Sequence, residues 1–138
     1  MSAAQLGERC GTTESTALRR LNRLRRTGVI RAEVAIVDGD KVGRGLLLFV
    51  SVRLEREDGS AAKAFVERIR ANPDVLQFYF VTGTSDYLIL LSARSMADYD
   101  RFLQTELVPD PMVIMSDTNV VIRPLKMSTV LPIDEPAS

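Results

Sequence analysis

Residues 45–54 read Gly-Leu-Leu-Leu-Phe-Val-Ser-Val-Arg-Leu and constrain the fold more than any other stretch of the chain. A run of this length that contains Val and Phe favours a β-strand over a helix. Because successive strand residues point to opposite faces, the run from Leu46 to Val50 places apolar side chains on both faces. We therefore expect helices to cover one face of the sheet and a second copy of the sheet to cover the other.

The residues that follow alternate between helical and strand patterns. Apolar residues at helical spacing predict amphipathic helices over 62–69 and 96–107. Apolar runs bounded by turn residues predict strands over 75–82, 87–92 and about 112–124. Together with the strand at 45–54, the predicted order is β-α-β-β-α-β, so the expected fold class is α+β with a ferredoxin-like antiparallel sheet.

The residues before this domain predict two short helices. Ser2 and Gln5 have the spacing of a capping box, and Gly11 is placed to end the helix that they begin. Thr13 predicts the N-cap of a second helix, whose apolar positions fall on one stripe until Thr27 and Gly28. The pattern changes to β-branched alternation from Val29 to Val37, which predicts a connecting strand.

These patterns divide the 138 residues into four parts. Residues 1–37 form a partial helix-turn-helix segment with the connecting strand, and 38–44 form a linker. Residues 45–130 form the ferredoxin-like domain, and 131–138 form a tail that we expect to have little order.

Charge is distributed unevenly along the chain. The formal net charge is zero, but residues 1–31 contain seven basic and two acidic residues, and all seven basic residues are arginine. The rest of the chain therefore carries a net charge of −5. This asymmetry is typical of a protein in which one segment meets a polyanion and the other does not.

Cysteine and histidine usage argues against several classes of site. The chain has one cysteine and no histidine, which leaves no basis for a disulfide framework or for the usual zinc and haem sites. We expect no metal and no cofactor. The sequence shows no long apolar run and no signal-peptide pattern, so we expect a cytoplasmic protein without a membrane partner.

The second predicted helix carries the features of a DNA-reading helix. One face has apolar residues for docking, and the other has polar and basic residues for phosphates and base edges. The residues expected to project outward are Ser15, Thr16, Arg19, Arg20 and Arg23, with the N-terminal ones nearest the groove floor. Arg25, Arg26 and Arg31 lie later and are expected to contact phosphates. The alternative is a solvated arginine-rich helix with no ligand.

The turn at 83–86 is a candidate small-molecule site. Its backbone N–H groups suit the α-carboxylate of a free amino acid, and Asp86 suits the ammonium group. From chemistry alone an ordinary hairpin turn is the favoured interpretation. Because a turn residue is expected to be exposed, Asp86→Ala is expected to leave the fold nearly unaffected. The full set of candidate effector residues is Gly83, Thr84, Ser85, Asp86, Tyr87, Ser116, Thr118 and Asn119. The last three residues are either ligand contacts or ordinary polar residues of an edge strand.

Several segments resemble the Lrp/AsnC (feast/famine) family of transcriptional regulators, and together they cover almost the whole chain. The order and spacing of the segments carry the resemblance, because each motif alone is weak. The segments are 6–11 (Leu-Gly-Glu-Arg-Cys-Gly), 17–24, 28–31 (Gly-Val-Ile-Arg), 45–54, 81–88 (Val-Thr-Gly-Thr-Ser-Asp-Tyr-Leu) and 121–126 (Val-Ile-Arg-Pro-Leu-Lys). The resemblance implies a regulator that binds double-stranded DNA and an amino-acid effector held between adjacent subunits. It also implies a homodimer or a higher oligomer such as an octamer.

One departure from the family pattern concerns the N-terminus. Members of the family begin with a further helix, and this sequence starts after it. Two alternatives stay open: the chain is a truncated or mis-started version, or it is an effector-binding oligomeric module without DNA binding. Enzymes, including some haem-pathway decarboxylases, also use ferredoxin-like domains. The absence of histidine, the single cysteine and the lack of paired carboxylates in a motif argue against a catalytic site.

Overall fold

The computed structural model describes residues 2–55 and 59–133. The chain divides into two compact units between Val37 and Asp38. Each unit has its own internal contacts. Residues 134–138 of the predicted tail lie outside the described residues.

The first unit contains two helices, α1 (Ala3–Arg9) and α2 (Glu14–Arg26). The capping box predicted at Ser2 is present, since its hydroxyl accepts the Gln5 N–H and the Gln5 side chain accepts the Ser2 N–H. The Thr13 hydroxyl accepts the N–H of Thr16, as predicted for an N-cap. Local hydrogen bonds within a few residues therefore account for both helix starts.

The connecting strand predicted over 29–37 is not formed. These residues make no strand, and Val34 and Ile36 are 78% and 82% exposed. A strand requires a neighbour that satisfies its backbone N–H and C=O groups, and the described residues provide none here. The prediction of a strand from the β-branched pattern is therefore wrong within one chain.

The segment expected to be a linker, 38–44, belongs to the second unit. It forms a single 3-10 turn at Asp40–Val42 and ends at Gly43, which has a positive φ of 74°. Arg44 then donates hydrogen bonds to the Asp74 carboxylate and, at 3.1 Å, to the Ser92 carbonyl. These bonds fix the entry of the chain into the sheet.

The second unit is built on a four-stranded sheet with the order β2-β3-β1-β4. All three strand pairings are antiparallel, which confirms the predicted ferredoxin-like βαββαβ arrangement. The strands are β1 (Leu46–Leu54), β2 (Val75–Phe80), β3 (Tyr87–Ala93) and β4 (Val113–Val120). The helices are α3 (Gly59–Ala71) and α4 (Met96–Phe102), and α4 continues as a π-helical turn, Leu103–Leu107.

The core lies between the helices and one face of the sheet. Alternate residues of β1, from Leu48 to Leu54, are buried together with Phe65 and Ile69 of α3. Each such side chain contributes about 1.5–3 kcal/mol through burial. On the other face of β1, Phe49 remains 45% exposed. The described residues of this unit therefore do not cover the second face, although the sequence indicates apolar character on both faces.

The last strand is shorter than predicted. Strand β4 ends at Val120, four residues before Pro124. One further backbone bond, from the Val121 N–H to the Leu47 carbonyl at 2.9 Å, follows it. Ile122 is already 95% exposed, and the apolar residues described from 121 to 133 belong to no strand.

Candidate functional site

The basic surface of the first unit is a stripe on α2. Ser15, Arg19, Arg23 and Arg26 are spaced four, four and three residues apart, so they share one helical face. All four are exposed, whereas Ala17 on the opposite face is buried. This alpha-helical stripe, named the arginine stripe below, presents three guanidinium groups along about three turns of helix.

Thr16 and Arg20 flank this stripe. The Thr16 hydroxyl accepts a 2.9 Å hydrogen bond from the Thr13 hydroxyl, so it takes part in the N-cap and is only partly exposed. Arg20 is fully on the surface. Thr16 therefore has a structural role in starting α2 in addition to any contact with DNA.

Arg25 differs from Arg26, although both were expected to contact phosphates. The Arg25 guanidinium pairs with Glu33 at 2.8 Å and donates to the Asn22 side chain at 2.9 Å. Adjacent helical residues point about 100° apart, so Arg25 lies on another side of α2 from the stripe. The structure thus separates the two arginines, and Arg26 is the better placed for an external anion.

In the second unit, the turn between β2 and β3 holds Asp86 against the end of β1. The Asp86 carboxylate accepts the Leu54 N–H at 2.9 Å, and its own N–H donates to the Val52 carbonyl at 2.9 Å. Gly83, with a φ of 114°, adopts a backbone conformation that other residues rarely reach. Thr84 is exposed and Ser85 is partly exposed. The turn is consequently an ordered part of the sheet edge.

A cavity of about 370 Å³ adjoins this turn. It lies where β1 ends, α3 begins, and β2 and β3 meet. The lining residues are Leu54, Glu55, Gly59, Ala62, Phe80, Asp86 and Tyr87. The sequence identified only Asp86 and Tyr87 among them. The other five lie on elements distant in sequence, and no local motif marks them.

Tyr87 links the cavity to the core. Its ring lies 5.3 Å from that of Phe80, 5.4 Å from that of Phe78 and 5.5 Å from that of Phe65, measured between ring centroids. Burial raises the pKa of the Tyr87 phenol, and the negative charge of Asp86 raises it further. The phenol therefore stays protonated at neutral pH and can donate a hydrogen bond.

The three candidate residues on β4 lie apart from this cavity. Ser116 and Thr118 pair with Val52 and Val50, so they point to the helix-covered face, where Thr118 hydrogen-bonds to Tyr99. Asn119 pairs with Phe49 and points to the opposite face. Because β1 separates β4 from β3, the structure does not bring these residues together with the turn in one chain.

Metal-binding and membrane-spanning features are absent from the described part of the chain. Within 2–55 and 59–133, no group of three or more His, Cys, Asp or Glu side chains is arranged to hold a metal ion. Across the same described residues, no helix combines the length and apolar character needed to cross a membrane.

Both units match known protein families. Residues 47–131 match the Lrp/AsnC ligand binding domain, and residues 1–31 match a winged helix-turn-helix DNA-binding domain. A structure of an AsnC family transcriptional regulator from Agrobacterium tumefaciens aligns with a TM-score of 0.88 at 28% identity, covering 96% of this chain and 86% of that one. A transcriptional regulator from Neisseria meningitidis, solved in complex with L-methionine, aligns with a TM-score of 0.90 at 29% identity, covering 96% and 85%.

Curated relatives agree with the structural neighbours. The glutamate uptake regulatory protein of Zymomonas mobilis is 33% identical over 134 residues, which cover 96% of this chain and 80% of that protein. The leucine-responsive regulatory protein of Rhizobium meliloti is 32% identical over 122 residues, covering 88% and 78%. These relatives are transcriptional regulators and not enzymes. The chain belongs to the Lrp/AsnC family of transcriptional regulators, with a helix-turn-helix segment and a ligand-binding domain.

Proposed function

We propose that this regulator binds specific DNA sequences through the arginine stripe of α2 and responds to a free amino acid held beside Asp86. The observation that carries the proposal is the segregation of charge: the exposed residues Arg19, Arg23 and Arg26 share one face of α2 in the segment that matches a DNA-binding domain. A DNA-binding protein must share a compartment with the chromosome, so the proposed location of this regulator is the cytoplasm.

The residues of α2 have two proposed roles in DNA binding. Ser15, Arg19 and Arg20 lie in its first half, the part of a recognition helix that contacts base edges. Arg23 and Arg26 lie in its second half and are proposed to neutralise phosphates, which releases counterions and drives binding. Because Arg25 pairs with Glu33, we expect Arg25 to contribute less to phosphate neutralisation than Arg23 and Arg26.

The proposal of an amino-acid effector is based on the turn at 83–86 and the cavity that adjoins this turn. Asp86 places a carboxylate at the cavity wall, where it can face an ammonium group. The Neisseria regulator that shares this fold was solved with L-methionine bound, which supports an amino acid as the class of effector. Gly83, Thr84 and Ser85 are proposed to contribute backbone N–H groups to the α-carboxylate.

We also propose a homodimer formed through the uncovered face of the sheet. The large apolar residues of the uncovered face, named the open sheet face and defined as Leu47, Phe49, Leu88, Leu90 and Met115, are only partly buried among the described residues. A second copy of the same face is the simplest cover, because a two-fold axis makes one patch self-complementary. Dimers of this kind can associate further, for example into octamers.

A selection from fragmented genomic DNA tests the DNA-binding proposal, because it does not require the operator sequence to be known. Full-length protein is expected to enrich fragments that share a sequence motif, and Arg19→Ala is expected to broaden that motif. Arg25→Ala serves as the matched arginine control and is expected to leave the motif unchanged. Enrichment of no common sequence by the wild-type protein would overturn the proposal.

A further inference from the structure

The guanidinium group of Arg25 is fully engaged within the first unit. Its Nε donates to Oε1 of Glu33 at 2.8 Å, and its Nη2 lies 2.8 Å from the same oxygen. Its Nη1 donates to Oδ1 of Asn22 at 2.9 Å. All three nitrogen atoms of the group therefore have an acceptor, and the carboxylate of Glu33 neutralises its positive charge.

The other arginines of α2 differ from Arg25 in this respect. In the part of the chain that the structure describes, no side-chain hydrogen bond or ion pair engages the remaining four, Arg19, Arg20, Arg23 and Arg26. All four are exposed. The fold thus neutralises one guanidinium of this helix and leaves the others available to an external anion.

The position of Arg25 on α2 makes this neutralisation relevant to DNA binding. Arg20 follows Arg19 of the arginine stripe and Arg25 precedes Arg26, and adjacent helical residues point about 100° apart. Arg20 and Arg25 therefore flank the stripe on opposite sides. A helix that lies in the major groove has a phosphate backbone on each side of it. Without the charge of Glu33, Arg25 would present an unneutralised cation to one of these backbones.

We infer that Glu33 limits the affinity of this regulator for DNA by withholding Arg25 from the phosphates. This inference rests on the proposed DNA-binding role of α2 and adds a residue outside that helix that tunes it. Phosphates are the same in every sequence, so a phosphate contact strengthens binding to all duplexes alike. Glu33 therefore lowers the sequence-independent part of the affinity and leaves the reading of base edges by α2 unchanged.

The exposure of the pair allows its charge to be changed without damage to the fold. The side chains of Arg25 and Glu33 are 40% and 53% exposed, so a phosphate can reach the guanidinium once the carboxylate charge is removed. An exposed ion pair contributes little to stability. Neutralising Glu33 is therefore expected to change DNA binding and to leave the first unit folded.

The salt dependence of DNA binding by the full-length protein, measured by fluorescence anisotropy on a selected duplex and on a scrambled duplex of equal length, tests this inference. We expect Glu33→Gln to steepen the negative slope of log affinity against log salt by about 0.9 on both duplexes, because one more phosphate is neutralised. We expect the double variant Glu33→Gln/Arg25→Ala to return to nearly the wild-type slope. Glu8→Gln, which removes one negative charge from an exposed position of α1, is the matched control and is expected to keep the wild-type slope.

A second variant, Glu33→Ala, removes the acceptor as well as the charge and keeps the test decisive if Glu33→Gln fails to fold. Its expected slope is the same. A wild-type slope near zero would overturn the proposed DNA-binding role of α2, and this inference with it. If the wild-type slope is steep but neither Glu33 variant steepens it, or if the steepening persists in the Arg25→Ala background, the inference alone is overturned. Steepening on the selected duplex only would also overturn it, because phosphate contacts do not depend on sequence.

Discussion

Gly7 lies where α1 approaches the turn that joins it to α2. A Cβ built at this position would lie 2.9 Å from the Thr13 carbonyl oxygen and 3.0 Å from that of Thr12, closer than such contacts normally occur. Helix propensity alone predicts that Gly7→Ala stabilises α1 by about 1 kcal/mol. The structure predicts the opposite sign, a loss of about 1–3 kcal/mol, because backbone must move to make room.

Chemical denaturation monitored by circular dichroism, together with DNA binding, measures this loss. Glu8→Ala is the matched control, since it introduces the same residue at the next, exposed position of α1, where changes are usually within about 0.5 kcal/mol. A Gly7→Ala variant as stable as Glu8→Ala would show that the close approach does not exist.

Asp86 has a structural role that a turn residue need not have. Its carboxylate accepts the partly buried Leu54 N–H, so Asp86→Ala is expected to cost about 1–3 kcal/mol of folding free energy. This corrects the expectation that the fold would be nearly unaffected. Asp86→Asn keeps an acceptor and removes the charge, so it is expected to cost less than Asp86→Ala yet still weaken amino-acid binding. Equal stability of the two variants in urea titrations would contradict the structural role.

Helix α3 is tied to the π-helical turn after α4 by a small ionic network. Arg68 donates to Glu106 at 3.0 Å and to Asp110 at 2.8 Å. Burial raises the pKa of Asp110, but hydrogen bonds from Arg68 and the Met112 N–H, together with the charge of Arg68, lower it more, so the net pKa is below its ordinary value. Such a carboxylate stabilises the fold when ionised and loses this effect as the pH falls through its folded pKa.

The lowered pKa of Asp110 determines how the stability of an Asp110 variant, relative to wild type, depends on pH. At pH 7, Asp110→Asn is expected to lower the free energy of unfolding by about 1 kcal/mol. The difference from wild type should persist down to about pH 4, the ordinary range of an aspartate, and disappear at lower pH. Urea titrations across this range, with the exposed Asp100→Asn as control, measure it. A difference that stays constant at low pH would contradict the ionic origin.

The elements show what sequence patterns can and cannot predict. Caps at Ser2 and Thr13 depend on residues three positions away, and both were confirmed. The strand predicted over 29–37 was wrong because pairing depends on a neighbour that local sequence does not specify. Local sequence patterns likewise could not predict the cavity. Ala62 and Phe80 line it together with Asp86 only when α3 and β2 pack around the turn.

For the whole molecule, the open sheet face carries the proposed dimer. Phe49 lies on the central strand β1 and is 45% exposed, so Phe49→Lys would bring two ammonium groups into an apolar interface. We expect this variant to shift the dimer toward monomer by at least tenfold in dissociation constant. Sedimentation equilibrium measures the shift, with Lys63→Ala on the exposed side of α3 as control. A wild-type monomer at micromolar concentration would overturn the proposed dimer.

The salt dependence of binding tests whether the arginine stripe of α2 binds DNA. Fluorescence anisotropy of a selected duplex, measured over a series of potassium chloride concentrations, gives the slope of log affinity against log salt. We expect a steep negative slope for wild type and, for Arg26→Ala, a slope that is shallower by about 0.9 because one phosphate is no longer neutralised. We expect Arg25→Ala, whose guanidinium pairs with Glu33, to retain nearly the wild-type slope. A wild-type slope near zero, or an equal change of slope in the two variants, would contradict DNA binding through the arginine stripe.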